Sequence, residues 1–162
     1  MYIVNVVGKN GYLRRIGGEY NKINMGEKKM INIIYGLKGS GKTQRIVDAA
    51  NARAKTSKGC VIYITDQPTH SPYVDNDIRF IDIGKYNITT EATLVAFIEG
   101  LLAGNYDITD IYIDGPAKFI KMPIESMENF YKQIELLSAE HSVEFTFTVS
   151  AEEVPEYMKK YI

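Results

Sequence analysis

The chain has 162 residues, 45 % of them hydrophobic and 24 % charged, which excludes wholesale disorder and leaves room for one domain with a sizeable core. One cysteine, Cys60, and two histidines, His70 and His141, exclude an internal disulfide, a cysteine-rich zinc site and most histidine-based metal sites. No apolar run approaches the roughly 20 residues of a membrane span, and residues 30–162, with 13 basic against 18 acidic residues, are a poor footprint for general DNA binding.

The formal net charge of −1 is unevenly spread. Residues 1–29 carry Lys9, Arg14, Arg15, Lys22, Lys28 and Lys29 against Glu19 and Glu27, while residues 30–162 are acidic on balance. The leader is rich in Gly, Asn and Lys; Tyr2–Val7 can form a strand, but no partner pattern follows it. It lacks the unbroken apolar stretch of a secretory signal, so a cytoplasmic setting is expected. The codons of Gly26–Met30 can spell a purine-rich ribosome-binding run before a start codon. The leader is therefore read either as a poorly ordered basic segment or as a mis-annotated start, with the domain itself occupying 30–162.

From Met30 onward, apolar runs alternate with amphipathic segments. Ile31–Tyr35 reads as a strand ending at Gly36, and Lys42–Lys55 as a helix with Ile46, Val47, Ala50 and Ala54 on one side. Val61–Thr65 is a second strand; Asp66–Asp77, with two prolines, is a loop; Arg79–Ile83 is a third strand. Glu91–Ala103 places Leu94, Val95, Ile98, Leu101 and Leu102 at helical spacing, and Asp110–Asp114 is a fourth strand. Pro123 is placed to open a helix whose stripe is Met127, Phe130, Tyr131, Ile134 and Leu137. Val143–Val149 alternates apolar and polar residues, the pattern of a strand near a sheet edge. Ser150-x-x-Glu153 has the form of a capping box for a last short helix.

Strands separated by helices imply βαβ units, a parallel sheet and an α/β fold of three layers. In such sheets ligands bind beyond the carboxyl ends of the strands, which directs attention to Gly36–Thr43, Asp66–Gln67, Asp114–Gly115 and Ser150. Gly36, Leu37, Lys38, Gly39, Ser40, Gly41, Lys42 and Thr43 match G-x-x-x-x-G-K-[ST] in full, between an expected strand and an expected helix. The glycines let backbone N–H groups curl around phosphate oxygens, and the helix directs its positive end at the anion. Lys42 is placed to reach β- and γ-phosphates and Thr43 to ligate Mg²⁺. Asp114, a strand-end acid 71 residues after Thr43, is the candidate second holder of Mg²⁺. Asp110, at the start of the same strand, belongs at the far end of the sheet in a structural role.

Gly36–Thr43 and Ile111–Asp114 resemble the Walker A and Walker B motifs of P-loop NTPases, and the element order over about residues 30–150 is similar to the RecA-like core of ASCE-type ATPases. The chain also resembles small clostridial ATP-binding proteins sometimes labelled twitching-motility ATPases, although the histidine- and acid-rich boxes of those motor ATPases are absent from this sequence. The resemblance implies a five-stranded, mostly parallel sheet in the order 5-1-4-3-2, with the Asp114 strand beside the loop strand. It also implies that Asp66, after the second strand, polarises the attacking water, where a Glu is usual. Gln67 is the alternative water-orienting residue. Gly115 stands where many such ATPases have a Glu after the Walker B acid.

Among other polar residues, Arg45 and Arg53 read as solvated on the first helix, and Arg79 as lying at the wrong end of the sheet to assist phosphoryl transfer. Lys118 and Lys121 read as solvated loop residues within reach of the site, His70 as a plain loop residue, and Cys60 as a small apolar one. The expected function is Mg²⁺-dependent ATP binding with slow or partner-stimulated hydrolysis, catalysed by Lys42 with Asp66 and Gln67. An unidentified protein partner or self-association goes with it. The alternative is a non-hydrolytic nucleotide sensor or scaffold. A small-molecule kinase ranks below both, because no arginine-rich lid is visible.

Overall fold

The computed structural model describes residues 30–162 in full and, as backbone strands only, residues 6–8, 11–16 and 19–22. Those three strands, β1 (Val6–Gly8), β2 (Gly11–Ile16) and β3 (Glu19–Lys22), form an antiparallel sheet in chain order. The strand expected at Tyr2–Val7 overlaps β1 and does have a partner, because Val6 pairs with Leu13. The two sequence readings of the leader otherwise fall on residues outside those described.

The domain proper follows the expected alternation: β4 (Ile31–Gly36), α1 (Lys42–Ala54), β5 (Cys60–Thr65), β6 (Ile78–Asp82), α2 (Glu91–Gly104), β7 (Ile108–Ile113), α3 (Pro116–Phe119), α4 (Glu128–His141) and β8 (Glu144–Ser150). Side chains alternate across the pleat, so each strand feeds two cores. Ile62, Ile64, Ile111, Ile113, Phe145 and Phe147 face the larger core with α2 and α4. Val61, Tyr63 and Tyr112 face the smaller core with Ile46, Val47 and Ala50 of α1. Helices on both faces make the three layers. The stripe expected on α4 is buried in full from Met127 to Leu137, and Phe130 and Tyr131 meet Phe147 edge-on. Among the described residues no helix is long and apolar enough to cross a membrane.

The sheet has five strands, all paired in parallel, in the order β4-β8-β7-β5-β6. Numbered within the domain this is 1-5-4-2-3, not 5-1-4-3-2. The Asp114 strand, β7, does not lie beside the loop strand; β8 lies between them and β4 forms an edge. The 5-1-4-3-2 order is what the RecA-like resemblance implies, and the polar alternation of β8 points the same strand to an edge; β8 instead lies inside the sheet. Its polar positions include Thr146 and Thr148, which are buried, small and β-branched, so they suit a covered face as well as a solvated one. Thr148 also spends its hydroxyl inside the domain, donating to Asp114 Oδ1 at 2.5 Å. The true edges show in exposure: Tyr35 on β4 and Arg79 on β6 are open to solvent.

Three local expectations change. Ser150 is the last residue of β8 and caps no helix; the final segment is a 3-10 turn, Glu156–Tyr161, entered through Pro155 with no side-chain cap. Pro123 opens only a three-residue 3-10 turn, and α4 begins after Met127. The loop from Asp66 contains a 3-10 turn, Pro68–Tyr73.

The start of α2 is the clearest capping arrangement. Thr90 Oγ1 accepts from Thr93 N at 3.2 Å, and Thr90 N donates to Thr93 Oγ1 at 3.0 Å, so Thr93 fills the usual Glu or Gln position of a capping box. Thr90→Ala leaves the Thr93 amide to water and is expected to cost about 1 kcal/mol. A thermal melt should then fall by roughly 3–4 °C; an unchanged melt would show the cap to be idle.

Candidate functional site

All four segments singled out by the strand-end rule do meet at the carboxyl end of the sheet. The parallel register sets Gly36 opposite Ser150 and Ile64 opposite Ile113, so β4, β5, β7 and β8 end together. Ala151 N donates to Gly36 O at 3.2 Å, tying the end of β8 to the beginning of the glycine-rich loop.

The loop closes on itself through Ser40 N, which donates to Leu37 O at 3.1 Å. A Cβ on Gly36 would stand 2.5 Å from Ser40 Oγ and 3.2 Å from Ser40 Cβ, so the Ser40 side chain would have to turn away. Gly41, at the mouth of α1, has φ of 81°, the left-handed conformation that glycine adopts at low cost. Without a Cβ or a capping side chain there, the first amides of the 13-residue α1 stay free to meet an outside anion. Lys42 is buried, at 9 % exposure, and its Nζ donates to Leu37 O at 2.8 Å. In this state the ammonium is held by its own loop.

Thr43 Oγ1 donates to Asp114 Oδ2 at 3.1 Å. The residues lie 71 apart in sequence, and β7 and α1 bring them together. Asp114 is 9 % exposed; its Oδ1 takes the Thr148 hydroxyl, which in turn accepts from Gly115 N at 2.8 Å. The carboxylate is therefore fixed on one oxygen by β8 and presents the other to the cleft. Tyr63 Oη lies close to this carboxylate without reaching hydrogen-bond geometry, and burial, with the Asp114 charge added, pushes its phenol far up, so it stays neutral.

The cleft has a volume of about 650 Å³. Lys38, Gly39, Gly41, Lys42 and Thr43 line it from the loop, Asp66, Gln67 and His70 from the end of β5, and Asp114, Gly115, Thr148 and Ser150 from β7 and β8. Gly36, Leu37 and Ser40 belong to the loop but do not line the cleft. Asp66 is present but engaged. Its Oδ2 pairs with Lys118 Nζ at 3.1 Å, and its Oδ1 accepts from Gln67 Nε2 at 3.2 Å. Lys118 is thus a cleft residue rather than a purely solvated one, although its side chain stays 65 % exposed and the pair is worth little in stability. Lys121 does not line the cleft, and neither does any arginine among the described residues.

Two further residues have a larger part in the cleft than their sequence setting implies. Thr148 is a hydroxyl two residues from a strand end, a placement that in sequence looks the same as edge polarity. His70 lies in the 3-10 turn with Nδ1 at 3.7 Å from Asp114 Oδ2. That turn is pinned to α1 by Asn51, whose Nδ2 donates to Tyr73 O at 2.9 Å and whose Oδ1 accepts from Asp75 N at 2.8 Å. No local pattern announces such a tie.

Chemically, the cleft offers free helix amides and an ammonium to an anion. Beside them, a hydroxyl and a carboxylate stand at a spacing that suits a hard cation completing its shell with outside oxygens. Among the described residues no three His, Cys, Asp or Glu side chains gather to hold a metal unaided. No protein-family model matches the chain, and a search of curated proteins finds no match.

Proposed function

We propose that the chain is a P-loop NTPase that binds ATP with Mg²⁺ in this cleft and turns it over slowly, or briskly only with a partner or a second copy. The observation that carries the reading is the meeting of Thr43 Oγ1 and Asp114 Oδ2 at 3.1 Å beneath a complete glycine-rich loop. Two elements remote in sequence there share one cation position next to an anion position, which is what a metal–triphosphate complex needs. The reading rests on the loop and the strand-end acid rather than on the sheet, whose order departs from the RecA-like one.

Each residue then has a task. Lys42 exchanges Leu37 O for β- and γ-phosphate oxygens, and the amides around Gly39 and Gly41 cradle the same group. Thr43 and Asp114 hold Mg²⁺, which neutralises charge on the phosphates, while Thr148 fixes the Asp114 carboxylate. Asp66 and Gln67 are the residues at hand to position a water. Slow turnover follows from their state, because Asp66 is held by Lys118 and no arginine faces the phosphates from the described residues. A cytoplasmic setting, where Mg²⁺ and ATP are plentiful, goes with this function.

The engagement of Asp66 also supports a second reading, a sensor that binds ATP without splitting it. Calorimetric titration with Mg²⁺ and ATP, followed by single-turnover incubation with protein in excess, separates the two. Binding with slow release of phosphate is expected. Binding with ATP intact after many hours would leave the sensor standing, and no binding of any nucleoside triphosphate would end both readings.

A further inference from the structure

We infer that His70 is a protein ligand of the cation in this cleft, acting through Nδ1, and that the site favours a borderline first-row divalent ion such as Mn²⁺ over Mg²⁺. The inference rests on the nucleotide reading above and adds the identity of the ion and of its third protein contact.

Two buried polar atoms beside Asp114 have no hydrogen-bond partner. One is His70 Nδ1, which faces Asp114 Oδ2 at 3.7 Å, too far for a hydrogen bond. The other is Tyr63 Oη, on a side chain with no exposure, close enough to Asp114 to feel its charge. Buried polar atoms are paired in the great majority of cases, so two orphans around one carboxylate mark a place for something that is not protein. Thr43 Oγ1, at 3.1 Å from the same oxygen, completes the ring.

Distances favour an ion there. Octahedral ligands about 2.1 Å from a common centre stand about 3 Å apart when adjacent and about 4.2 Å apart when opposite. Thr43 Oγ1, at 3.1 Å from Asp114 Oδ2, already stands at the adjacent separation, and His70 Nδ1, at 3.7 Å, reaches it by moving in by about 0.7 Å. Donor chemistry then selects the ion. Mg²⁺ prefers oxygen alone, whereas an imidazole nitrogen adds affinity for Mn²⁺, Co²⁺ and later ions. The histidine is also preorganised: its turn is bonded to α1 through Asn51, and its own N donates to Gln67 O at 3.1 Å. The Tyr63 hydroxyl is left for a water in the ion's shell.

The test is pulsed electron paramagnetic resonance on the full chain with one equivalent of Mn²⁺ and β,γ-methylene-ATP, an analogue with no bridging nitrogen. An imidazole ¹⁴N coupling is expected in the wild type, lost in His70→Ala and kept in His141→Ala. Mn²⁺ should bind His70→Ala at least about tenfold more weakly, with Mg²⁺ affinity changed less than about threefold. A nucleotide-bound wild type without nitrogen coupling would overturn the role of His70 and leave its orphan atom to water. Since that spectrum needs no variant, a His70→Ala protein that fails to fold does not shield the inference. If calorimetry shows no binding of the analogue with either ion, the nucleotide reading itself falls and takes the inference with it.

Discussion

Lys42→Ala is expected to weaken nucleotide binding at least about 100-fold while leaving the unliganded domain as stable as before. The two halves of the result have one cause. Lys42 is 9 % exposed and its ammonium bonds only Leu37 O among the described residues. A buried charge with one neutral partner carries most of its desolvation cost uncompensated. Removing it relieves that cost, and Leu37 O keeps the Ser40 amide at 3.1 Å. With a triphosphate present the same ammonium makes charge-assisted bonds to phosphate oxygens, each worth about 1.5–3 kcal/mol. Losing about 3 kcal/mol corresponds to roughly two powers of ten in affinity. Titration calorimetry and a thermal melt on the same sample check both halves. Affinity within a few-fold of wild type would remove Lys42 from the site, and a melt lowered by many degrees would make it structural.

At the other end of the sheet, Arg53→Met should destabilise the domain by about 2–3 kcal/mol without touching nucleotide affinity. Arg53 was expected to be solvated on α1; instead its Nε donates to Asp110 Oδ1 at 2.8 Å. Asp110 is 1 % exposed, and its Oδ2 has no hydrogen-bond partner, so the guanidinium is what makes this buried carboxylate tolerable. Stripping one partner from a buried pair typically costs about 3–5 kcal/mol. The cost here falls at or just below the bottom of that range because the Arg53 side chain keeps 35 % exposure and part of the attraction is screened. The hydrogen bond to Asp110 raises the Arg53 pKa above its already high ordinary value. A raised pKa gives stability that is present below the unfolded value and lost only as pH climbs past the folded one. Arg53 therefore contributes no pH dependence anywhere between mild acid and mild base. The double variant Arg53→Met, Asp110→Leu should recover most of the loss in a urea melt, since an apolar pair of similar volume needs no compensation. Additive damage in the double variant would refute this account.

Much of the domain was legible because its signals are local. A 3.6-residue period wrote α1, α2 and α4, β-branched runs wrote the strands, and glycine spacing wrote the loop at 36–43. Asp114 was legible as an acid at a strand end. Sheet order was not, because β-strands buried on both faces carry little information about their neighbours. The threonines of β8 compounded this, since a hydroxyl satisfied by Asp114 looks in sequence like one satisfied by water. His70 escaped for another reason: its position depends on Asn51, a residue of α1 bonded across to Tyr73 and Asp75, and helical periodicity gives no hint of that.

The same asparagine sets the mechanics of the cleft. Its amide grips the chain on both sides of Val74, donating to one residue and accepting from another, so α1 and the 68–73 turn are riveted at two points. The glycine-rich loop rides on one end of that assembly and His70 on its flank. Widening the gap between them strains both hydrogen bonds, each worth about 1 kcal/mol. On this side the cleft has a braced wall, held to α1 at two points, so a molecule that enters meets a surface already in place.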